Sequence, residues 1–303
     1  MSYPIPPQAK YPGSLRIGIH TSSSGSLEKA GLKANELGAN CFQIFSGSPR
    51  TWAAPPPDPA AVLRMKEVRA RLDLTPLVIH ANYLINLCSI DPANRPKSVT
   101  AFRGEVERAL IIGAEYLVVH PGSSKDQTPD SAIHAFSQAL AEACQGLASD
   151  HLTILLENTA GQGNVLGSRL AELSAMRDLA LPHVGVKIGY CLDTCHSYAA
   201  GYDIATEDEL EAFVKEADTT LGLENVPVIH TNDSKGALAS KLDRHANIGE
   251  GYIGMEGFRR ILNHPKLRTK SFILETPIDN EGDDKKNVDA LWSLATKHAR
   301  KNV

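Results

Sequence analysis

The chain predicts a closed parallel (β/α)8 TIM barrel, an α/β fold, on three observations. Eight short apolar, strand-like runs recur along its 303 residues, most of them separated by a stretch with helical spacing. Six of these runs after the first end in a histidine or a carboxylate, which gives the strands one chemical polarity. No Gly-rich phosphate turn follows the first run, as an open doubly wound sheet would want.

The first run is LRIGIH at 15–20, and the spacing of Leu27, Ala30, Ala34 and Leu37 predicts a helix over 26–40. A second strand, 41–45, leads into SGSPRTWAAPPPDP, whose prolines fit neither helix nor inner strand and predict a stiff, exposed loop. A helix over about 59–72 follows. Further strands are predicted at 77–80, 116–120, 152–157, 188–193, 226–230 and 271–275, with helices at 99–112 and 130–148 among the connections. Residues 1–14, MSYPIPPQAKYPGS, read as an extended proline-bearing arm, and 15–303 as one TIM-barrel catalytic domain. The last residues, KHARKNV, read as a solvated helix end.

Strand side chains alternate, so the residue two before each terminal ligand shares its face. Those residues are Val78, Val118, Leu155, Cys191, Val228 and Ile273, all apolar, as an inner barrel layer requires. The candidate ligands His80, His120, Glu157, Asp193, His230 and Glu275 then form the next layer, at the C-terminal mouth. His196, three residues after Asp193, and Asp243 with His245 in KLDRH bring the set to nine. Taken alone, Asp193 and His196 read as a hydrogen-bonded loop pair, and it is the company of the other ligands that makes them a metal candidate. Five imidazoles and four carboxylates without a placed thiolate suit zinc or another borderline divalent ion, and nine ligands exceed one tetrahedral site. Cys191 reads as core packing. His20 ends the first strand and is expected to hydrogen-bond behind the ligands. His134, His151, His183, His264 and His298 read as solvated.

A net charge of −4 argues against a bare polyanion binder unless positive charge is concentrated in one place. Bound metal ions could supply that concentration. Five cysteines form no paired framework, no apolar stretch reaches the ~20 residues of a membrane span, and the start lacks a signal core. The reading is a reduced, cytoplasmic protein with no membrane partner.

Three motifs occur in order: ENTAGQG at 157–163, CLDTCHSYAAGYD at 191–203 and HTNDSKGALASKLDRHANIGEG at 230–251. With them the chain resembles, over nearly its whole length, the endonuclease IV family of abasic-site nucleases. The resemblance implies three zinc ions, with manganese possible at one position. His80, His120 and Glu157 would hold the first; Glu157, Asp193, His230 and Glu275 the second; and His196, Asp243 and His245 the third. It also implies a monomer acting on double-stranded DNA, hydrolysing the phosphodiester 5′ to abasic sites with Glu157 as catalytic residue, and trimming blocked 3′ ends. Arg50, Tyr83 and Leu84 would enter the DNA, where a wedge offsets unstacking. Trp52 would anchor their loop. Ser26, Ala239 and Ala246 depart from residues common in the family, which touches loop contacts and no ligand. A divalent-metal sugar isomerase or epimerase of similar fold is the alternative, separated by His196 and the DRH set, for which it would have no use. A metal-stabilised binding protein is the third reading.

Overall fold

The structure is a computed structural model and describes residues 15–295. The arm expected at 1–14, the KHARKNV end and His298 lie outside the described residues. Eight strands close a parallel barrel: β1 (Arg16–His20), β2 (Cys41–Phe45), β3 (Leu77–His80), β4 (Tyr116–Val119), β5 (Ala148–Glu157), β6 (Gly185–Asp193), β7 (Val228–His230) and β10 (Ser271–Leu274). β8 (Asp233–Ser234) and β9 (His245–Ala246) form a separate antiparallel pair at the mouth. The barrel closes where Arg16 to Ile19 of β1 pair with Ser271 to Leu274 of β10.

Helices cover the barrel outside: α1 (Leu27–Glu36), α2 (Pro59–Leu72), α3 (Arg95–Ile112), α4 (Pro129–Ala143), α5 (Leu170–Ala180), α7 (Glu207–Leu221), α8 (Gly254–Asn263) and α9 (Asp283–Leu294), while the short α6 (Thr194–Ala200) follows β6 directly at the mouth. The proline loop ends where Asp58 caps α2, its carboxylate accepting from the Ala60 and Ala61 amides while Pro59 occupies the first turn.

Some boundaries differ from the sequence reading. The helix expected over 26–40 stops at Glu36, because Gly38 takes a left-handed φ of +87° and turns the chain toward β2. Leu37 fits the spacing as the buried cap of this helix, its amide still bonded to the Lys33 carbonyl, and no helical residue follows it. The helix expected over 130–148 ends at Ala143, and Ala148 instead opens β5, whose register against β6 shifts between Ser149 and Thr153. His120 and Glu275 each lie one residue beyond their strands.

The barrel interior is its own apolar cluster of Cys41, Val78, Val118, Leu155, Cys191, Val228 and Ile273, all fully buried. Six of these are the residues that strand alternation placed there. β1 contributes Gly18, since a Cβ there would stand 2.6 Å from the Cys41 carbonyl oxygen and 2.8 Å from Ile273 Cδ1. The five cysteines are buried and unpaired. Among the described residues no helix is long and apolar enough to cross a membrane.

Candidate metal centre

Above the apolar layer the strands present their next inward residues together. Glu157, fully buried at the end of β5, is the hub. Its Oε2 lies 3.2 Å from His80 Nε2 and 2.9 Å from His120 Nε2, and its Oε1 lies 2.7 Å from His230 Nδ1. Glu275 Oε2 is 3.2 Å from the same His230 nitrogen. To one side, His196 Nε2 is 3.2 Å and His245 Nε2 3.6 Å from Asp243 Oδ1, and His245 Nε2 is 3.7 Å from Asp193 Oδ2. The structure thus brings together three groups whose donor atoms lie within 4.8 Å of one another: His80, His120 and Glu157; Glu157, Asp193, His230 and Glu275; and His196, Asp243 and His245.

The hydrogen bonds on the outer side of the imidazoles test whether these residues fit metal ions. A carbonyl oxygen only accepts, so an imidazole nitrogen facing one must carry the proton. His80 Nδ1 donates to the Ala81 carbonyl at 2.7 Å, His196 Nδ1 to that of Asn158 at 2.9 Å, and His245 Nδ1 to that of Glu275 at 3.1 Å. Once Nε2 gives up its proton, each of these rings therefore turns that nitrogen's lone pair toward the cluster. His230 is reversed: Nε2 contacts Gln43 Oε1 at 2.8 Å, leaving Nδ1 for the carboxylates. His245 Nε2 is buried without a hydrogen-bond partner, a lone pair aimed into the space beside Asp193 and Asp243. Fixed tautomers with convergent lone pairs and carboxylates are what a borderline divalent ion takes. The donor set fits the ions.

Cys191 and Cys195 also border the groups, but burial pushes each thiol up to about 12, which keeps sulfur protonated. Burial opposes charge on Glu157 too, yet the imidazoles of His230 and His120 hold its carboxyl well below the usual range. For His196, burial works toward the neutral ring, and the carboxylates of Asp193 and Asp243 outweigh it and raise the ring to about 10. An arriving cation therefore displaces protons from this cluster.

Gln43, on the second strand's inward face, is a site residue that the sequence reading missed. Its Nε2 donates to Glu275 Oε1 at 2.5 Å and to His20 Nδ1 at 3.0 Å, while its Oε1 faces His230. One amide thus orients two ligand residues. The signal was present, since Gln43 is the only polar residue in CFQIF and shares a face with Cys41. Burial lowers His20 to about 4, and it sits 4.0 Å from Glu275 Oε1 behind Gln43. Asn232 Nδ2 donates to Asp193 Oδ2 at 2.6 Å. Asp233, fully buried, gathers the amides of Gly249, Gly251, Ile253 and Gly254, which shapes the loop after His245.

Tyr83 is 66% exposed beside the metal centre, its ring 5.3 Å from that of Phe45 and 5.9 Å from that of His80. Arg50 is exposed and Leu84 half-buried on neighbouring loops, joined where the Tyr83 amide donates to the Pro49 carbonyl. Trp52 packs partly buried against the core, with Lys97 above its ring. His134, His151 and His183 are exposed. His264 is not solvated as expected: it is buried, its Nε2 3.0 Å from Glu211 and its Nδ1 accepting the Lys266 amide, so it braces the end of α8. Of the departing residues, Ser26 precedes α1, Ala239 adopts a left-handed φ of 60°, and Ala246 is buried opposite Asp233.

A parallel barrel with buried imidazoles and carboxylates at its strand ends defines a class, and a family model described as a xylose isomerase-like TIM barrel matches residues 32–297. A probable endonuclease 4 of Solibacter usitatus is 56% identical over 93% of this chain and 97% of its own length. One of Halothermothrix orenii is 40% identical over 87% and 94%. The crystal structure of endonuclease IV from Thermus thermophilus superposes with a TM-score of 0.80 at 39% identity, over 92% of this chain and 98% of that one. A D-tagatose 3-epimerase-like protein, at 22% identity and a TM-score of 0.67, covering 92% of this chain and 97% of its own, shares the fold. The chain belongs to the endonuclease IV family, and it is an enzyme of the deoxyribonuclease IV type.

Proposed function

We propose that the chain hydrolyses the phosphodiester 5′ to abasic sites in duplex DNA, leaving a 3′-hydroxyl and a 5′-deoxyribose phosphate, and that the same centre trims blocked 3′ ends. The observation that carries this reading is the group His196, Asp243 and His245 standing beside the Glu157 groups. A sugar isomerase or epimerase needs no such additional set, whereas phosphodiester cleavage must stabilise charge on both the attacking and the departing oxygen. The three groups would hold three zinc-class ions, with manganese acceptable at one. When bound, such ions supply an activated water and a positive field for the phosphate.

The protein's own part is to hold that arrangement rigid. Glu157 faces both of the first two groups, and Gln43 fixes the directions of His230 and Glu275. Asn232 and the His196 amide hold the two oxygens of Asp193. Asp243 is the most exposed of these ligands, at 44% of its side chain, and opens the third group toward the substrate side.

Metal chemistry explains bond cleavage but not the choice of an abasic nucleotide. Tyr83, Leu84 and Arg50 supply the choice in this reading, as an aromatic, an apolar and a cationic side chain at the mouth. Entering a base stack costs roughly a few kcal/mol per step and least where a base is missing. Arg50→Ala and Tyr83→Ala are expected to weaken cleavage of an abasic duplex by roughly tenfold or more, about 1–3 kcal/mol of lost stacking. Metal content and hydrolysis of bis(p-nitrophenyl) phosphate should stay within about twofold. Steady-state kinetics on both substrates tests this, and equal losses on both would place these residues in the support of the metal centre.

A further inference from the structure

Beneath the two mouth loops lies a buried charged network that the metal centre does not use. Glu105 and Arg108 of α3 are 2% and 7% exposed, in the wall of an apolar barrel where such groups are costly unless satisfied. They pair with each other at 3.0 Å. Glu105 Oε2 also accepts from Ser46 Oγ at 2.5 Å, and Arg108 Nε donates to the same Ser46 oxygen at 2.8 Å. Glu105 Oε1 lies 3.4 Å from Asn82 Nδ2. Ser46 is the first residue of the loop that carries Arg50, and Asn82 immediately precedes Tyr83. Asn82 Oδ1 further accepts the Leu84 amide at 3.0 Å.

Gly104 gives an independent sign that the guanidinium position matters. It sits inside α3, where glycine costs about 1 kcal/mol relative to alanine. A Cβ there would stand 2.9 Å from Arg108 Nη1, so the missing side chain is the space the guanidinium occupies.

We propose that Glu105 and Arg108 are positioning residues for damage recognition, a buried ion pair that ties the roots of the Arg50 and Tyr83 loops to one helix and so holds their side chains at a fixed spacing over the mouth. This rests on the reading of those loops as the DNA-entering elements. The ion pair touches neither substrate nor any of the nine candidate ligands; it acts through Ser46 and Asn82. Freed roots would leave the loops to sample many arrangements, and binding the duplex would have to select one of them.

The test uses the full chain and two variants. The double variant Glu105→Gln with Arg108→Met removes both charges together, leaving neither buried alone, and Gly104→Ala keeps both charges but displaces the guanidinium. Four quantities are read: KM and kcat on an abasic duplex, the rate of hydrolysis of bis(p-nitrophenyl) phosphate, and the rate of trypsin nicking after Arg50. The double variant should raise KM at least about fivefold with kcat and bis(p-nitrophenyl) phosphate hydrolysis within about twofold, and should be nicked at least about tenfold faster. Gly104→Ala should shift KM and nicking in the same direction by a smaller factor. Unchanged nicking in both variants, or parallel losses on both substrates, would overturn the proposal. Should the wild type leave abasic duplex intact, the functional reading fails, while the nicking rates still decide whether the pair holds the loops.

Discussion

Glu157→Gln is expected to reduce cleavage of an abasic duplex by more than about 100-fold and to lower the bound metal by at least one ion per chain. Loss of an outer hydrogen-bond partner of a metal ligand already costs about 10–100-fold. Glu157 does more, because its two oxygens face His80 and His120 on one side and His230 on the other. An amide keeps the volume but offers one acceptor oxygen and an NH2 group. That NH2 would point its hydrogens at the nitrogens of an imidazole, occupying the lone pairs that a cation needs. The substitution also removes one negative charge from a fully buried position, so the protein should stay folded while the centre loses its hub. Metal analysis and single-turnover cleavage on the same preparation check this. A variant with full metal content and full rate would remove Glu157 from its assigned role.

Gly18→Ala carries the largest expected effect on stability. The new Cβ would meet the Cys41 carbonyl oxygen at 2.6 Å, Cys41 Sγ at 2.7 Å and Ile273 Cδ1 at 2.8 Å. A carbonyl oxygen is backbone and cannot rotate away, and Gly18 pairs directly with Cys41 in the β1–β2 register. Relief requires β1 and β2 to separate, in a core packed like a crystal. Overpacking of this kind costs about 1–3 kcal/mol and occasionally more. Thermal unfolding should show a fall of several degrees, since about 1 kcal/mol shifts the midpoint of a large domain by roughly 2–4 °C. Gln43 lies two residues beyond Cys41 on the same face, so weaker metal retention should accompany the lower midpoint. An unchanged midpoint would show that the inner layer has room that its contacts deny.

The inner layer was legible in the sequence because strand alternation is a strict period of two: Val78, Val118, Leu155, Cys191, Val228 and Ile273 could be placed from the ligands alone, and they form one cluster. The first two strands escaped that rule, since the residue two before His20 is Gly18 and the inward face of β2 carries Gln43 and then Phe45, neither of them a ligand type. Gln43 matters through three partners far away in sequence, Glu275, His20 and His230, and no local pattern announces them. Asp243 and His245 could be noticed in KLDRH, yet the pair β8 and β9 that carries His245 spans two residues per strand and leaves no periodic trace. His264 read as solvated because its hydrogen-bond partner Glu211 stands on another helix, far away in sequence. Helix ends were the weakest reading, as at Leu37, where an apolar residue continues the spacing up to the point at which Gly38 turns the backbone.

The central claim, that the clustered imidazoles and carboxylates make a metal-dependent nuclease directed at missing bases, is tested most directly on a labelled duplex containing one abasic site. The duplex is incubated with zinc-loaded protein, with chelated protein, and with chelated protein resupplied with zinc. The predicted result is a single nick immediately 5′ to the abasic nucleotide with an extendable 3′-hydroxyl, lost on chelation and restored by zinc, while an intact duplex stays uncut. An abasic strand left whole by the zinc-loaded protein, or cleavage of intact and abasic duplexes at equal rates, would contradict it.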